Sequence, residues 1–234
     1  MSFADDSSAE VASWTLLRPL PSVVTLGVWN VARRIPRQAT GARLPVARQP
    51  IWTPDGALVG HEYLYRSEEG LPVGVDGWVD ERQEGASASV LASVFAGDGP
   101  EGDGLVFVNV TGSFLTGARP LPQATDRLVL EVVESVPASD AVLAGLPALR
   151  DEGYTIAVDD YVATPDQMAM LPFADYVKVD LRDMGRLTPP ALRVARRYGA
   201  QLIAEHVASP ILMQEAVTLG FDLLQGDVLG AART

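Results

Sequence analysis

Ile156-Ala-Val-Asp-Asp160 reads as a short strand in which an apolar run closes on two adjacent carboxylates. A continuous apolar run of this length marks a strand buried on both faces, the habit of parallel sheets. The pattern recurs on either side. Leu105-Val-Phe-Val-Asn109 and Leu128-Val-Leu-Glu131 precede it, and Tyr176-Val-Lys-Val-Asp180, Leu202-Ile-Ala-Glu205 and Leu223-Leu-Gln225 follow. With Asn109, Glu131, Asp159, Lys178, Glu205 and Gln225 as markers, the spacings are 22, 28, 19, 27 and 20 residues. Each gap fits one helix and two loops.

Helix punctuation fills those gaps. The signals predict helices over Ala138 to Glu152, Pro165 to Leu171, Pro189 to Tyr198 and Pro210 to Leu219, three of them followed by glycine. Proline at the first turn and glycine just past the last are the expected boundaries. Two further strands, around Val46 to Trp52 and Leu58 to Arg66, bring the count to eight. Alternation of that count favours a TIM-like (βα)8 barrel of the α/β class over an open sheet. In such a barrel the carboxyl ends of the strands meet at one rim, so the polar residues closing each run share one mouth.

The chain of 234 residues, 47% hydrophobic, is long enough for one sizeable core. Residues 1–43 differ from the rest and read as a tail with one short helix; residues 44–234 read as the domain. Asp80-Glu-Arg-Gln-Glu84 reads as solvated surface. With no cysteine, disulfides and thiolate metal sites are excluded, and with only His61 and His206 a histidine-rich zinc site is not expected. The formal charge of −12 argues against nonspecific binding to DNA or RNA. The acidic start Met1-Ser-Phe-Ala-Asp-Asp6 is unlike a secretory signal, and Pro19 to Val31 is too short to span a bilayer, so no membrane segment and a cytoplasmic location are expected.

A lone carboxylate at a strand end is ordinarily a loop residue or a helix cap. Glu131, Asp159, Asp160 and Glu205 together, with Asn109, Lys178 and Gln225, are a different matter. Like charges crowded in one mouth repel and raise their pKa values unless cations are present. Oxygen ligands suit Mg2+ or Mn2+, and adjacent aspartates can share two ions. Lys178 is either a structural partner of Asp159 or Asp180, or a catalytic group; both readings need a carboxylate beside it. His206 reads as a loop side chain.

At these residues the sequence resembles the EAL domain family, in the family's order from about Val46 to Gly230. Gln49-Pro50-Ile51, Gly60-His-Glu62-Tyr-Leu-Tyr-Arg66, Val108-Asn109, Leu130-Glu-Val-Val-Glu134-Ser135, Val158-Asp159-Asp160-Tyr161, Val177-Lys178-Val-Asp180, Ala204-Glu205-His-Val and Gln225-Gly226 carry the likeness. The resemblance implies hydrolysis of cyclic di-GMP to pGpG. On it, Glu62, Asn109, Glu131 and Asp159 hold one ion, and Asp159, Asp160 and Glu205 the second. Lys178 and Gln225 serve the attacking water, Gln49, Arg66 and Asp180 meet the ligand, and Glu134 anchors the loop after Asp160.

There are departures. Tyr161-Val-Ala-Thr-Pro165 stands where active members carry a glycine-rich loop, and Ala208 replaces a second glutamate. Ala47-Arg48-Gln49-Pro50-Ile51 with Asp159 to Asp166 resembles the often degenerate subgroup joined to an HDOD domain. The last outer helix looks missing after Gln225, and the apolar stretch Ser22 to Ile35 is a candidate cover for the exposed seam. A noncatalytic receptor or protein-interaction module is therefore the alternative, with a homodimer or a protein partner left open. A metal-dependent barrel using Lys178 on a carbon acid fits the ligand types but not the motif order.

Overall fold

The computed structural model describes residues 46–67, 69–71, 80–95, 100, 102–185, 187 and 189–234. The tail of residues 1–43 and the covering role assigned to Ser22 to Ile35 lie outside the described residues.

Eight strands close into a barrel in chain order: β1 (Val46–Trp52), β2 (Leu58–Tyr65), β3 (Leu105–Val110), β4 (Leu128–Val132), β5 (Thr155–Val158), β6 (Tyr176–Asp180), β7 (Gln201–Glu205) and β8 (Leu223–Gln225). Strands β2 to β8 pair in parallel. Strand β1 departs from the all-parallel pattern, running antiparallel to both β2 and β8. The cause is local. Thr53-Pro-Asp-Gly56-Ala57 makes a tight hairpin turn, with Gly56 at φ 88° and its N–H donating to Thr53 O at 3.0 Å.

Six helices lie among the described residues: α1 (Asp80–Phe95), α2 (Gly112–Leu115), α3 (Asp140–Asp151), α4 (Pro165–Met170), α5 (Pro189–Arg196) and α6 (Pro210–Thr218). The four predicted helices appear within two residues at each end. Their starts are capped as the sequence suggests. Ser139 and Ser209 accept from Val142 N and Leu212 N, and Thr164 with Gln167 forms a capping box.

Helix α1 corrects the surface reading of Asp80 to Glu84: Glu81 and Arg82 are exposed, but Gln83 is buried and Glu84 pairs with Arg119 at 3.1 Å. After β8 no helix follows up to Thr234. Arg233 instead bridges to Arg48, each backbone N–H donating to the other's carbonyl.

Strand parity builds the interior. Ile51, Phe107, Val129, Ala157, Ile203 and Leu223 form an apolar layer inside the barrel, with Tyr176 packed against it. Phe107 and Tyr176 meet edge to face at 5.3 Å. Side chains two positions apart on a strand share a face. The next inward residues toward the carboxyl rim are therefore Asn109, Glu131, Asp159, Lys178, Glu205 and Gln225. On β1, which runs the other way, the corresponding step is backward, from Ile51 to Gln49. Gly60 stands two positions before Glu62 at the tightest contact of β2 with β3. A Cβ there would lie 2.3 Å from Leu105 O, so only glycine fits. The opposite strand faces, with residues such as Leu128, Leu130, Ile156 and Leu202, make the larger core under the helices.

Candidate metal and ligand site

The apolar layer is the floor of an acidic pit. Lys178 is the hub, 1% exposed, with Nζ at 2.8 Å from Glu205, 2.9 Å from Glu131 and 3.3 Å from both Glu62 and Asp159. Asn109 Nδ2 donates to Glu62 Oε1 at 3.2 Å. Gln225 Nε2 donates to Glu62 Oε2 at 2.6 Å and to Gln49 Oε1 at 3.1 Å. Residues far apart in sequence thus converge on one point at the rim. Of the two partners open to Lys178, Asp159 is the one in contact.

Among the described residues, four carboxylates, Glu62, Glu131, Asp159 and Glu205, contact a single ammonium here, and a fifth, Asp160, lies beside Asp159 and Glu205. The pKa pattern registers the imbalance. Burial pushes Glu131 and Glu205 well above the usual carboxylate range, and mutual repulsion adds to it against the pull of Lys178. Asp159 is raised for the same reasons. Asp160 is pushed up to about 7 by desolvation and by the charges of Asp159 and Glu134. Only Glu62 is held low: burial opposes its charge, but Lys178 and hydrogen bonds from Gln225 and Asn109 prevail. Lys178 is raised well above its ordinary value, its burial outweighed by the surrounding carboxylates.

The donor set fits hard divalent cations. Ligand oxygens of Asp159, Asp160 and Glu205 lie within 4.8 Å of one another. Asn109 Oδ1, Glu131 Oε2, Glu205 Oε2 and Gln225 Oε1 are buried and accept no hydrogen bond among the described residues. Orphaned buried acceptors are costly, and oxygen-rich pits of this kind suit Mg2+ or Mn2+.

A group whose folded pKa lies above the unfolded value near 4 takes up a proton on folding, so its ionisation weakens the fold. For Glu131, Asp159, Asp160 and Glu205 that penalty grows as pH rises from about 4 toward 7. Glu62 has the opposite sign, and its contribution is lost only as pH falls through its depressed pKa; Lys178 contributes until pH exceeds its ordinary value. Metal-free protein is therefore expected to melt at lower temperature near pH ~8 than near pH ~5, with added Mn2+ narrowing the difference and Asp160→Asn flattening it. Melting curves across that range check this.

The loop after Asp160 is held from within. Asp160 at φ 42° and Ala163 at φ 63° occupy the left-handed region that side chains other than glycine rarely adopt. Gln167, 4% exposed, spans the loop: its Oε1 accepts from Val162 N at 2.9 Å and Thr164 N at 3.2 Å, and its Nε2 donates to Asp160 O at 2.9 Å and Asp159 O at 3.3 Å. Tyr161 is fully buried, and its N–H donates to Lys178 O at 2.9 Å. Strained backbone persists only where its surroundings over-determine it, and here Gln167 supplies that constraint. Gln167→Ala, which removes four hydrogen bonds, is expected to cost about 2–4 kcal/mol in urea unfolding and to weaken Mn2+ binding through the freed Asp159–Asp160 backbone.

A cavity of about 470 Å³ opens over the pit, lined among others by Gln49, Glu62, Arg66, Glu134, Arg182 and His206. Arg66 is 8% exposed and donates from Nη1 to Tyr65 O at 3.0 Å. Gln83 and Ser87 of α1 close one wall. Gln83, Gln167 and Arg182 escaped the sequence reading; His206 is a half-exposed loop side chain, as expected, and lines the cavity. The polar Gln83 in a small-residue stretch and the capping-box spacing Thr164 to Gln167 were the available signals.

A closed eight-stranded barrel with this rim defines a class, and comparison with known proteins places the chain within it. The EAL domain profile matches residues 113–232, so this chain belongs to the EAL domain family. It is 30% identical over 196 residues to the uncharacterized protein YuxH of Bacillus subtilis, covering 79% of this chain and 46% of that one. To the cyclic di-GMP phosphodiesterase CdgJ of Vibrio cholerae it is 26% identical over 198 residues, covering 83% and 45%. The chain spans about half the length of both relatives.

Among solved structures, the fold matches the MucR phosphodiesterase in complex with c-di-GMP (TM-score 0.62, 21% identity, 81% of this chain and 92% of that one). It also matches Bacillus subtilis YkuI with c-di-GMP and calcium (TM-score 0.63, 22% identity, 81% and 55%) and Klebsiella pneumoniae BlrP1 with c-di-GMP and manganese (TM-score 0.60, 22% identity, 83% and 56%). No helix among the described residues is long and apolar enough to cross a membrane.

Proposed function

We propose that this chain is a Mg2+ or Mn2+ dependent phosphodiesterase that hydrolyses cyclic di-GMP to pGpG. The observation that carries the reading is the convergence of Glu62, Glu131, Asp159 and Glu205 around Lys178, with Asp160 beside them. Family membership, the cyclic di-GMP phosphodiesterase name of CdgJ and the ligands of YkuI and BlrP1 support the choice of substrate and of a divalent ion.

On this reading Glu62, Asn109, Glu131 and Asp159 hold one ion, and Asp159, Asp160 and Glu205 hold the other. Bound there, two ions make water a nucleophile near neutral pH and stabilise both oxygens of an in-line displacement at phosphorus. Lys178 Nζ, fixed by four carboxylates, orients the attacking water and stands ready to hand a proton. Gln225 holds Glu62 in place. Arg66 offers its guanidinium fork to phosphate oxygens, Gln49 lies beside it in the cavity wall, and Glu134 steadies the loop after Asp160. Purified protein, cyclic di-GMP and Mn2+ analysed by chromatography test the proposal: pGpG supports it, and no product at high protein concentration rejects it.

One observation favours a second reading. The loop after Asp160 is locked by Gln167 and Tyr161, and a stiff loop suits a receptor that binds cyclic di-GMP without turnover. Tight binding with no pGpG identifies that case, and no binding identifies a protein-interaction module. The Ala47 to Ile51 and Asp159 to Asp166 motifs further support a place in the subgroup joined to HDOD domains, acting in the cytoplasm as a homodimer or with a protein partner. Residues 44–234 form the EAL unit on this reading.

A further inference from the structure

Family likeness gives Asp180 a contact with the ligand, but in the barrel its carboxylate is already taken. Asp180 closes β6 at 6% exposure. Its Oδ1 accepts from the Arg182 backbone N–H at 2.8 Å and from Arg182 Nε at 3.0 Å. Its Oδ2 accepts from Nε at 2.8 Å and from Nη2 at 2.5 Å. Oδ2 also lies 3.2 Å from His206 Nδ1, because Asp180 is opposite Glu205 in the β6–β7 register and His206 is the next residue. Among the described residues, Arg182 and not Asp180 lines the cavity over the pit.

Arg182 is exposed and yet held at both ends. Its side chain is 68% exposed. Its backbone sits in the single 3-10 turn Leu181–Asp183 that Asp180 caps, and the Nε–Nη2 edge of its head is clamped on the same carboxylate. With that edge taken, the head has its Nη1 end and its flat faces left to offer. Those faces are weakly hydrated and stack on aromatic rings.

Charge decides what suits such a surface. Asp180 pairs with the guanidinium directly, and the carboxylates of Asp160 and Asp183 act on it from nearby. A phosphate laid on Arg182 would meet three anions around one cation that is already paired. A nucleobase carries no charge to repel, and guanidinium planes are established platforms for stacked bases.

We propose that Arg182 is a stacking platform for one guanine base of the dinucleotide, and that Asp180 is a positioning residue which aims it without touching the ligand. The inference rests on the cyclic di-GMP reading of the same cavity and adds the side chain that holds a base.

Calorimetry of the full chain with cyclic di-GMP and Ca2+, the ion of the YkuI complex, tests it, with melting curves to show that each variant is folded. Arg182→Ala is expected to weaken binding roughly tenfold. Arg182→Trp, which restores a plane without the charge, should bind within about threefold of the parent. Arg182→Lys, which keeps the charge beside Asp180 but has no plane, should bind as weakly as Arg182→Ala. A residue needed only to neutralise Asp180, or to meet a phosphate, would give the reverse order. Asp180→Asn should weaken binding in the parent and add no further loss to Arg182→Ala. An unaffected Arg182→Ala protein, an Arg182→Trp protein no better than Arg182→Ala, or an Arg182→Lys protein equal to the parent overturns the platform. Additive losses overturn the positioning role of Asp180. A parent chain that binds no cyclic di-GMP overturns the functional reading itself, and the platform falls with it.

Discussion

Lys178→Met is expected to lower the melting temperature of the metal-free protein by roughly 10 °C and to leave it without turnover. Among the described residues, the ammonium is the one positive group in contact with Glu62, Glu131, Asp159 and Glu205. Removing one partner of a buried ion pair strands the other, at about 3–5 kcal/mol, and each kcal/mol shifts a domain of this size by about 2–4 °C. Carboxyls that can protonate soften the loss, which is why it should be greatest above pH ~7, where even Asp160 is charged. Saturating Mn2+ should restore most of the melting temperature, because divalent ions replace the missing positive charge, but not the turnover, because on the proposed reading the water loses its orienting group. Differential scanning calorimetry with and without Mn2+, alongside product analysis, separates the two effects. A Lys178→Met protein as stable as its parent without metal would contradict the electrostatic description of the pit.

Asp159→Asn should act in the opposite sense on stability. Asp159 belongs to both proposed ion sites, and its charge raises the pKa of Glu131, Asp160 and Glu205. Neutralising it relieves repulsion, so the metal-free variant is expected to melt no lower than the parent. Its Mn2+ affinity should fall by more than the 10–100-fold typical of outer-shell changes, and turnover with it. Asp160→Asn removes a ligand of one ion only and should retain part of the Mn2+ stabilisation. Melting curves against Mn2+ concentration for the two variants distinguish a shared ligand from a single-site one. Equal responses would argue that the two ions do not share Asp159.

The site was legible in the sequence because barrel parity is strict. Each buried strand ends with a polar residue two positions beyond an apolar one on the same inward face, as Phe107 and Asn109, Val129 and Glu131, or Ile203 and Glu205 show. That regularity let the markers be read without coordinates. Other features had no comparable signal. The antiparallel course of β1 depends on the short turn at Gly56, which resembles any loop between parallel elements. Helix α1 begins with charges and continues in small residues, so its apolar stripe is weak and Gln83 looked solvated. Gln167 acts on main-chain groups, leaving no charge pattern to notice. The tie of Asp180 to Arg182 and His206 depends on β6 and β7 lying side by side, a proximity that separations of 2 and 26 residues do not reveal equally.

Titrating Mn2+ into metal-free protein near neutral pH, with calorimetric stoichiometry, probes the buried carboxylates themselves and needs no substrate. Two ions per chain, with binding abolished in Asp159→Asn, are the expected result. A parent protein that takes up no Mn2+, or that binds it equally well without Asp159, would mean that Lys178 alone neutralises the pit and that no phosphodiester chemistry is assembled there.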